Sequence, residues 1–209
     1  MRTLVIDSAT EACSVALFDD EVCLGSELRM LGRGHAEHLV PMIARLPERG
    51  RAERIAVNCG PGSFTGIRIG LAAAKALALA WGSALVGYTT HALVAAIARA
   101  EVGEDVAIDV AMTGGHGEWF FQQIGVDGSA RGPVLSLVPE QARATARAAI
   151  AAGSCGEALG EGRAGVTAYA IWPDARFFPL MAPRDLESAP RPIYGRPPDA
   201  KPTAISTLA

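Results

Sequence analysis

Three groups of residues in this chain have types and spacings that could do chemistry. They are the turn Asn58-Cys59-Gly60-Pro61-Gly62-Ser63-Phe64-Thr65-Gly66-Ile67-Arg68, the pair His35 and His38, and the cysteines at 13, 23, 59 and 155. In the turn, backbone N–H groups with no side chains in the way, at the start of a helix, attract an anion such as phosphate. The known fingerprints do not fit: a Walker A loop ends in Gly-Lys-Ser/Thr, whereas Ile67 follows Gly66, and the Rossmann pattern needs a third glycine where Thr65 stands. His35 and His38 could share one helical face and a metal, but no third ligand is near except Glu37, which points elsewhere. The pair reads instead as His35 capping or packing at a helix start and His38 facing solvent. No C-x-x-C spacing occurs, so the cysteines read as reduced thiols without a zinc signature.

The elements that must position these groups follow from apolar patterning. Arg54-Ile55-Ala56-Val57 is a short β-branched strand entering the turn, and Phe64 to Trp81 is a helix with no proline and two charges, Arg68 and Lys75. Gly66, Gly70, Ala74 and Ala78 recur every four residues as a ridge almost without side chains, while Ile67, Leu71, Leu77 and Leu79 spread apolar surface around the rest. Such a helix must be covered. The small ridge suits a closely approaching helix, and the pattern fits an internal position or a protein–protein interface equally well.

Before the turn, Thr3–Asp7, Cys13–Phe18 and Val22–Leu28 read as three consecutive antiparallel strands, followed by a helix from about Gly34 to Arg45. After it come a strand over Ala84–Tyr88 and a helix over Thr90–Ala100. The second half restarts with a strand over Asp105–Val110, then Glu118–Ile124, Val134–Val138, a helix from Pro139 to about Arg147 and a strand near Ala149–Ala152. Gly153-Ser154-Cys155-Gly156 reads as a strand-to-helix turn. Both halves open with a strand that ends in Asp, at Asp7 and Asp109, which suggests an internal duplication. From Pro183 the proline-rich sequence predicts an extended tail. The domains expected are 1–102, 103–182 and the tail 183–209.

Composition narrows the class. With 209 residues, half of them hydrophobic, the chain has a sizeable core. A net charge of −3 and a pI near 5.8 argue against a basic nucleic-acid surface. The arginines at 45, 49, 51 and 54 lie among Glu48 and Glu53 and read as a solvated helix end. Charge enters too early after Met1 for a signal-peptide core. The longest apolar tract, Ile69 to Trp81, carries Lys75 and is shorter than the roughly 20 residues of a membrane span. A soluble cytoplasmic protein is expected.

Leu4-Val5-Ile6-Asp7-Ser8-Ala9-Thr10-Glu11-Ala12-Cys13-Ser14-Val15-Ala16-Leu17, the Gly34-His35 helix opening, Gly60 to Gly70 and the late Pro192-Ile193-Tyr194-x-Arg196-Pro197 together resemble the TsaB (YeaZ) family of bacterial tRNA threonylcarbamoyladenosine biosynthesis proteins. The resemblance spans most of the chain and is more specific in the first half. It implies an α/β, actin-like ATPase (ASKHA) fold of two related lobes with mixed sheets flanked by helices. It also implies a non-catalytic scaffold that binds and activates a TsaD-like transferase. That enzyme, with a TsaE-like ATPase, moves a threonylcarbamoyl group from its adenylate to the adenosine beside the anticodon. Partners so implied are the transferase, the ATPase, a second copy when alone, and tRNA only through the complex, with no membrane. Family members pair through the helix after the glycine turn, so the resemblance favours the interface reading, with Phe64, Ile67, Arg68, Leu71 and Lys75 as contacts.

The same resemblance implies a vestigial nucleotide site at Asp7, Ser8, Thr10, Gly60, Gly62, Ser63 and Asp109, where an active relative would hold phosphate and Mg²⁺. No cofactor is expected on this chain alone, with ATP or ADP and Mg²⁺ possible only at a partner interface, and no metal site. TsaD-like proteins use His-x-x-x-His, whereas this chain has His-x-x-His with Leu39 next. The resemblance expects an Asp-Ala-Arg-x-Gly-Glu type run where this chain has Asp109 to Glu118, without the arginine and with a longer loop expected. Gly195 stands where a large apolar residue is common, which implies a weakly docked tail. The alternatives are an actin-like ATPase or phosphotransferase using Asp7, Thr10, Gly62, Ser63 and Asp109, and a metallopeptidase-like protein, for which no His-Glu-x-x-His is present.

Overall fold

Leu4-Val5-Ile6 has no polar alternation, so both of its faces need cover, and it forms the centre of β1 (Arg2–Asp7), buried from Thr3 onward. The structure, a computed structural model, describes residues 1–103 and 105–196. β2 (Ala12–Asp19) and β3 (Val22–Met30) extend the sheet on one side of β1 as antiparallel strands. β4 (Arg54–Asn58) and β5 (Ala84–Tyr88) extend it on the other side as parallel strands, giving the order β3-β2-β1-β4-β5. Parallel pairs need crossover connections, and α2 (Phe64–Trp81) supplies the one between β4 and β5. α1 (His35–Arg45) precedes β4, and α3 (Thr90–Val102) follows β5.

The second sheet repeats this plan. β6 (Ile108–Thr113) is central, β7 (Trp119–Ile124) and β8 (Leu135–Leu137) are antiparallel on one side, and β9 (Ile150–Gly153) and β10 (Thr167–Ala170) are parallel on the other. Its order, β10-β9-β6-β7-β8, is the first order read from the opposite edge. The helices repeat in the same places but shrink to α4 (Pro139–Thr145), α5 (Gly156–Gly160) and a 3₁₀ turn over Ala175–Leu180. This is the duplicated, two-lobed α/β architecture expected of an actin-like fold.

The duplication is real, but the Asp repeat that suggested it is a register error. The first strand ends at Asp7, whereas β6 starts only at Ile108, so Asp109 is its second residue and lies at the opposite end. Thr113 occupies the position matching Asp7, since Asp7 pairs Ser14 and Thr113 pairs Trp119 at the corresponding ends of the two hairpins.

Three apolar clusters form among the described residues, the smallest (Ala111, Phe121, Ala142, Ala146, Ala151 and Leu159) joining the second sheet to α4 and α5. Of the two larger ones, one lies between the first sheet and helices α1 and α2, with Leu4, Ile6, Val15, Leu39, Met42, Ile67 and Leu71. The other joins Val5, Ala16 and Ala56 of the first sheet to Ile108, Val110 and Met112 of the second, with α3 and Phe178 packed among them. α2 starts at a Ser63 cap, whose Oγ accepts the Gly66 N–H at 3.2 Å, and stops at Gly82 in the left-handed conformation (φ 69°). By length and composition it is apolar enough to cross a membrane, yet Gly66, Ile67, Gly70, Leu71 and Ala74 are buried in the lobe. Its small ridge meets the turn after β1: a methyl group on Gly66 would lie 2.1 Å from the Ser8 carbonyl oxygen, and one on Gly70 2.5 Å from Ser8 Oγ. At Gly66 and Gly70 the close neighbour is thus a backbone turn rather than a helix, while α1 shares the core with α2 further along at Ala74.

Of the expected extended tail, Pro183–Asp185 forms a 3₁₀ turn, and the described residues beyond it are held against the first lobe. Gly87 and Glu187 exchange backbone hydrogen bonds of 2.7 and 2.8 Å, and the Ile193 N–H donates to the Cys59 carbonyl at 2.7 Å. Pro197 of the late motif falls outside the described residues.

Candidate functional site

The glycine turn and the turn after β1 clamp on each other. Ser63 N–H donates to the Ala9 carbonyl at 2.6 Å, and Ser8 Oγ donates to the Gly66 carbonyl at 2.8 Å. A Cβ on Gly62 would sit 1.9 Å from the Ala9 oxygen, and one on Gly60 2.5 Å from the Ile193 oxygen. The glycines are thus explained by chain lying directly on chain rather than by a phosphate.

Beneath them Asp7 is fully buried. Its Oδ2 accepts from Asn58 Nδ2 at 2.7 Å and from the Tyr88 hydroxyl at 3.0 Å, and its Oδ1 accepts from Ala9 N–H at 3.2 Å. Burial pushes its carboxyl up to about 7, against those hydrogen bonds, and pushes the Tyr88 hydroxyl up as well. Asn58 Oδ1 in turn accepts from Gly60 N–H (2.7 Å) and Thr90 Oγ1 (3.1 Å). This network ties the ends of β1, β4 and β5 to the start of α3. Asp7 is therefore spent on structure and has no face toward a ligand.

Asp109 is buried at the far end of β6, where its Oδ2 accepts from the Arg147 and Ala148 N–H groups at 2.7 Å each and pairs with Arg163 at 3.4 Å. The expected nucleotide set is accordingly split. Thr10, Gly62 and Ser63 line a cleft of about 640 Å³ between the lobes, Ser8 and Gly60 are buried beside it, and the two carboxylates turn inward. His35 Nε2 lies 2.8 Å from the Thr10 carbonyl, which gives it the packing role expected at a helix start, and His38 is half-buried rather than solvent-facing. His91 is buried with Nε2 2.8 Å from the Phe120 carbonyl, and burial pushes its imidazole down to about 4. Among the described residues no group of three His, Cys, Asp or Glu side chains could hold a metal.

The cleft's remaining walls include Phe64 and Arg68 of α2, Thr113 at the end of β6, Gly114 of the β6–β7 loop, and Tyr194 of the tail. Tail residues were not expected there. Arg68 lies 3.5 Å over the Phe64 ring and donates from Nε to the Tyr194 hydroxyl at 2.9 Å; the Phe64 and Tyr194 ring centres are 5.0 Å apart. The spacing Ile193-Tyr194-x-Arg196 is the available signal, but contact across 126 positions leaves no local trace. The expected longer loop is compact: β6 continues to Thr113, and Gly114 N–H donates to the Glu118 carbonyl at 2.9 Å.

On its outer face α2 exposes Phe64, Arg68, Ala72, Lys75 and Leu79, with Leu79 87% exposed. Ile67 and Leu71, expected as partner contacts, are 0% and 4% exposed and belong to the core. The outward stripe is one step around the helix from them.

Fold and site together define a two-lobed actin-like protein whose nucleotide carboxylates are engaged internally. The family model of tRNA N6-adenosine threonylcarbamoyltransferase (TsaD) matches residues 29–152, more than half of the chain, and the chain belongs to that family. It is 38% identical over 95 residues to the tRNA threonylcarbamoyladenosine biosynthesis protein TsaB of Escherichia coli, a match covering 43% of this chain and 41% of that one. The matched region thus spans less than half the length of that relative. An uncharacterized protein of Mycobacterium tuberculosis is 31% identical over 216 residues, covering 98% of this chain and 96% of its own. Among solved structures, YeaZ from Pseudomonas aeruginosa superposes with a TM-score of 0.73 at 25% identity, covering 92% and 99% of the two chains.

Proposed function

We propose that this chain acts in the biosynthesis of threonylcarbamoyladenosine in tRNA as a non-catalytic subunit that binds and activates a TsaD-like transferase. The observation that carries the reading is the second face of α2. One stripe of the helix is already in the core, yet Phe64, Ala72 and Leu79 remain outside with Arg68 and Lys75 among them. An apolar stripe with two cations fits a partner surface that is apolar with acidic edges. The internal engagement of Asp7 and Asp109 supports the non-catalytic part. A TsaE-like ATPase and tRNA enter through the complex, in the cytosol, and the same stripe pairs two copies when the transferase is absent.

Ala72→Glu combined with Leu79→Glu is expected to weaken association with the matching transferase at least a hundredfold, because buried hot spots dominate interfaces. The unfolding free energy should stay within about 1 kcal/mol of the wild type, since both sites are on the surface. Isothermal titration and urea unfolding read the two quantities. Unchanged affinity would remove α2 from the interface. Ile67→Glu is not a substitute, since it places a charge in the core. In a reconstituted mixture of transferase, ATPase, tRNA and threonylcarbamoyl-adenylate, tRNA modification should fail only when this chain is omitted. Turnover of ATP by this chain alone would overturn the non-catalytic reading.

A further inference from the structure

The late segment of the chain bridges the lobes, running along the first and then crossing to the second. Glu187 pairs with Gly87 at the end of β5, and Ile193 bonds to Cys59 in the glycine turn, so the segment is first fixed to the first lobe. Tyr194 then stacks on Phe64 and accepts from Arg68. One residue later the chain touches the second lobe: a Cβ on Gly195 would lie 2.3 Å from the Phe120 ring. Only a residue without a side chain allows that approach, so Gly195 permits close docking, contrary to the weak docking expected from its small size. Arg196 continues to the β6–β7 loop, where a Cβ on Gly115 would lie 3.8 Å from its guanidinium. Phe120 is itself held from the first lobe, since His91 of α3 bonds to its carbonyl.

We propose that Glu187–Arg196 is a clasp across the mouth of the interlobe cleft, which locks the second lobe's β6–β7 hairpin against the head of α2 and fixes the orientation of Arg68. Each anchor is one or two hydrogen bonds or a ring contact, individually weak, so the clasp can open while both lobes stay folded. Opening would widen the cleft and free Arg68, which also lies on the outer face of α2. The lobe-locking role is independent of the proposed partner; only the further consequence, that an open clasp weakens the partner face, rests on that reading.

Hydrogen exchange on the full chain alone separates the two. Tyr194→Ala is expected to speed amide exchange at least tenfold over Thr113–Phe121, on the second lobe, whereas the ring it removes stacks on Phe64 of the first. Gly195→Val, which drives a side chain into Phe120, should do the same without altering Tyr194. Tyr194 is 36% exposed, so its truncation should leave far-UV circular dichroism unchanged. Exchange that rises only over Asn58–Arg68 in both variants, with Thr113–Phe121 at the wild-type rate, would overturn the clasp. Because no partner is present, that result would leave the subunit reading to its own titration.

Discussion

Gly62→Ala is expected to destabilise the protein by at least about 3 kcal/mol, beyond the usual range for overpacking, because the obstacle is backbone and cannot rotate away. The new methyl group would start 1.9 Å from the Ala9 carbonyl oxygen, and that oxygen already accepts the Ser63 N–H. Relief requires separating the turn after β1 from the head of α2, which also strains the Ser8–Gly66 hydrogen bond. Urea unfolding at neutral pH checks this. If Gly62→Ala unfolds within 1 kcal/mol of the wild type, about the median effect of substitution, the clamp described here is wrong. A phosphate cradle makes a different prediction, in which the variant keeps its stability and loses only ligand.

The second large effect concerns pH. The Asp7 carboxyl is raised to about 7 from its ordinary 3.8, so the folded state holds this proton more tightly than the unfolded state does. Its contribution to stability is therefore fully present below about pH 4 and declines as pH rises toward 7, flattening above that. Over the whole window the loss is on the order of 4 kcal/mol, at 1.36 kcal/mol per unit. Asp7→Asn removes the ionisation. One Asn side chain cannot accept from Asn58, Tyr88 and Ala9 together, so the variant should lose about 1 kcal/mol near pH 5 through an unpaired N–H. It should become the more stable protein near pH 8. Urea midpoints from pH 5 to 8 would show the two curves crossing, whereas parallel curves would mean that Asp7 is not buried as a strained carboxyl.

Much of this fold is legible residue by residue, and the failures have physical causes. β1, β4 and α2 are readable because uninterrupted apolar runs bounded by polar turns admit few alternatives. α5 and β10, five and four residues long, are shorter than the window in which a period can be recognised, and glycine at both ends of Gly156–Gly160 hides the helix. Asp109 was misplaced because a shift of three residues in the start of β6 carries it from one end of the sheet to the other. For α2, the apolar pattern established that the helix is covered but not on which side. Small residues mark close approach without saying whether a helix or a turn approaches, and so Ile67 and Leu71 turned out to be interior. The glycine turn lacks the known phosphate-loop fingerprints, but its close packing depends on Ala9 and Ile193, far away in the chain.

The core shared through α3 has a consequence for cooperativity. Two sheets of identical topology suggest two folding units, yet Val5 and Ala56 of one and Val110 and Met112 of the other pack into a single cluster with Leu93, Val94 and Ala98. Melting either sheet would expose the apolar surface of the other, so neither half has a stable intermediate in which it stands alone. A calorimetric scan should show one heat-absorption peak whose van't Hoff enthalpy equals the calorimetric one, so that a repeat visible in the strand order is invisible to heat.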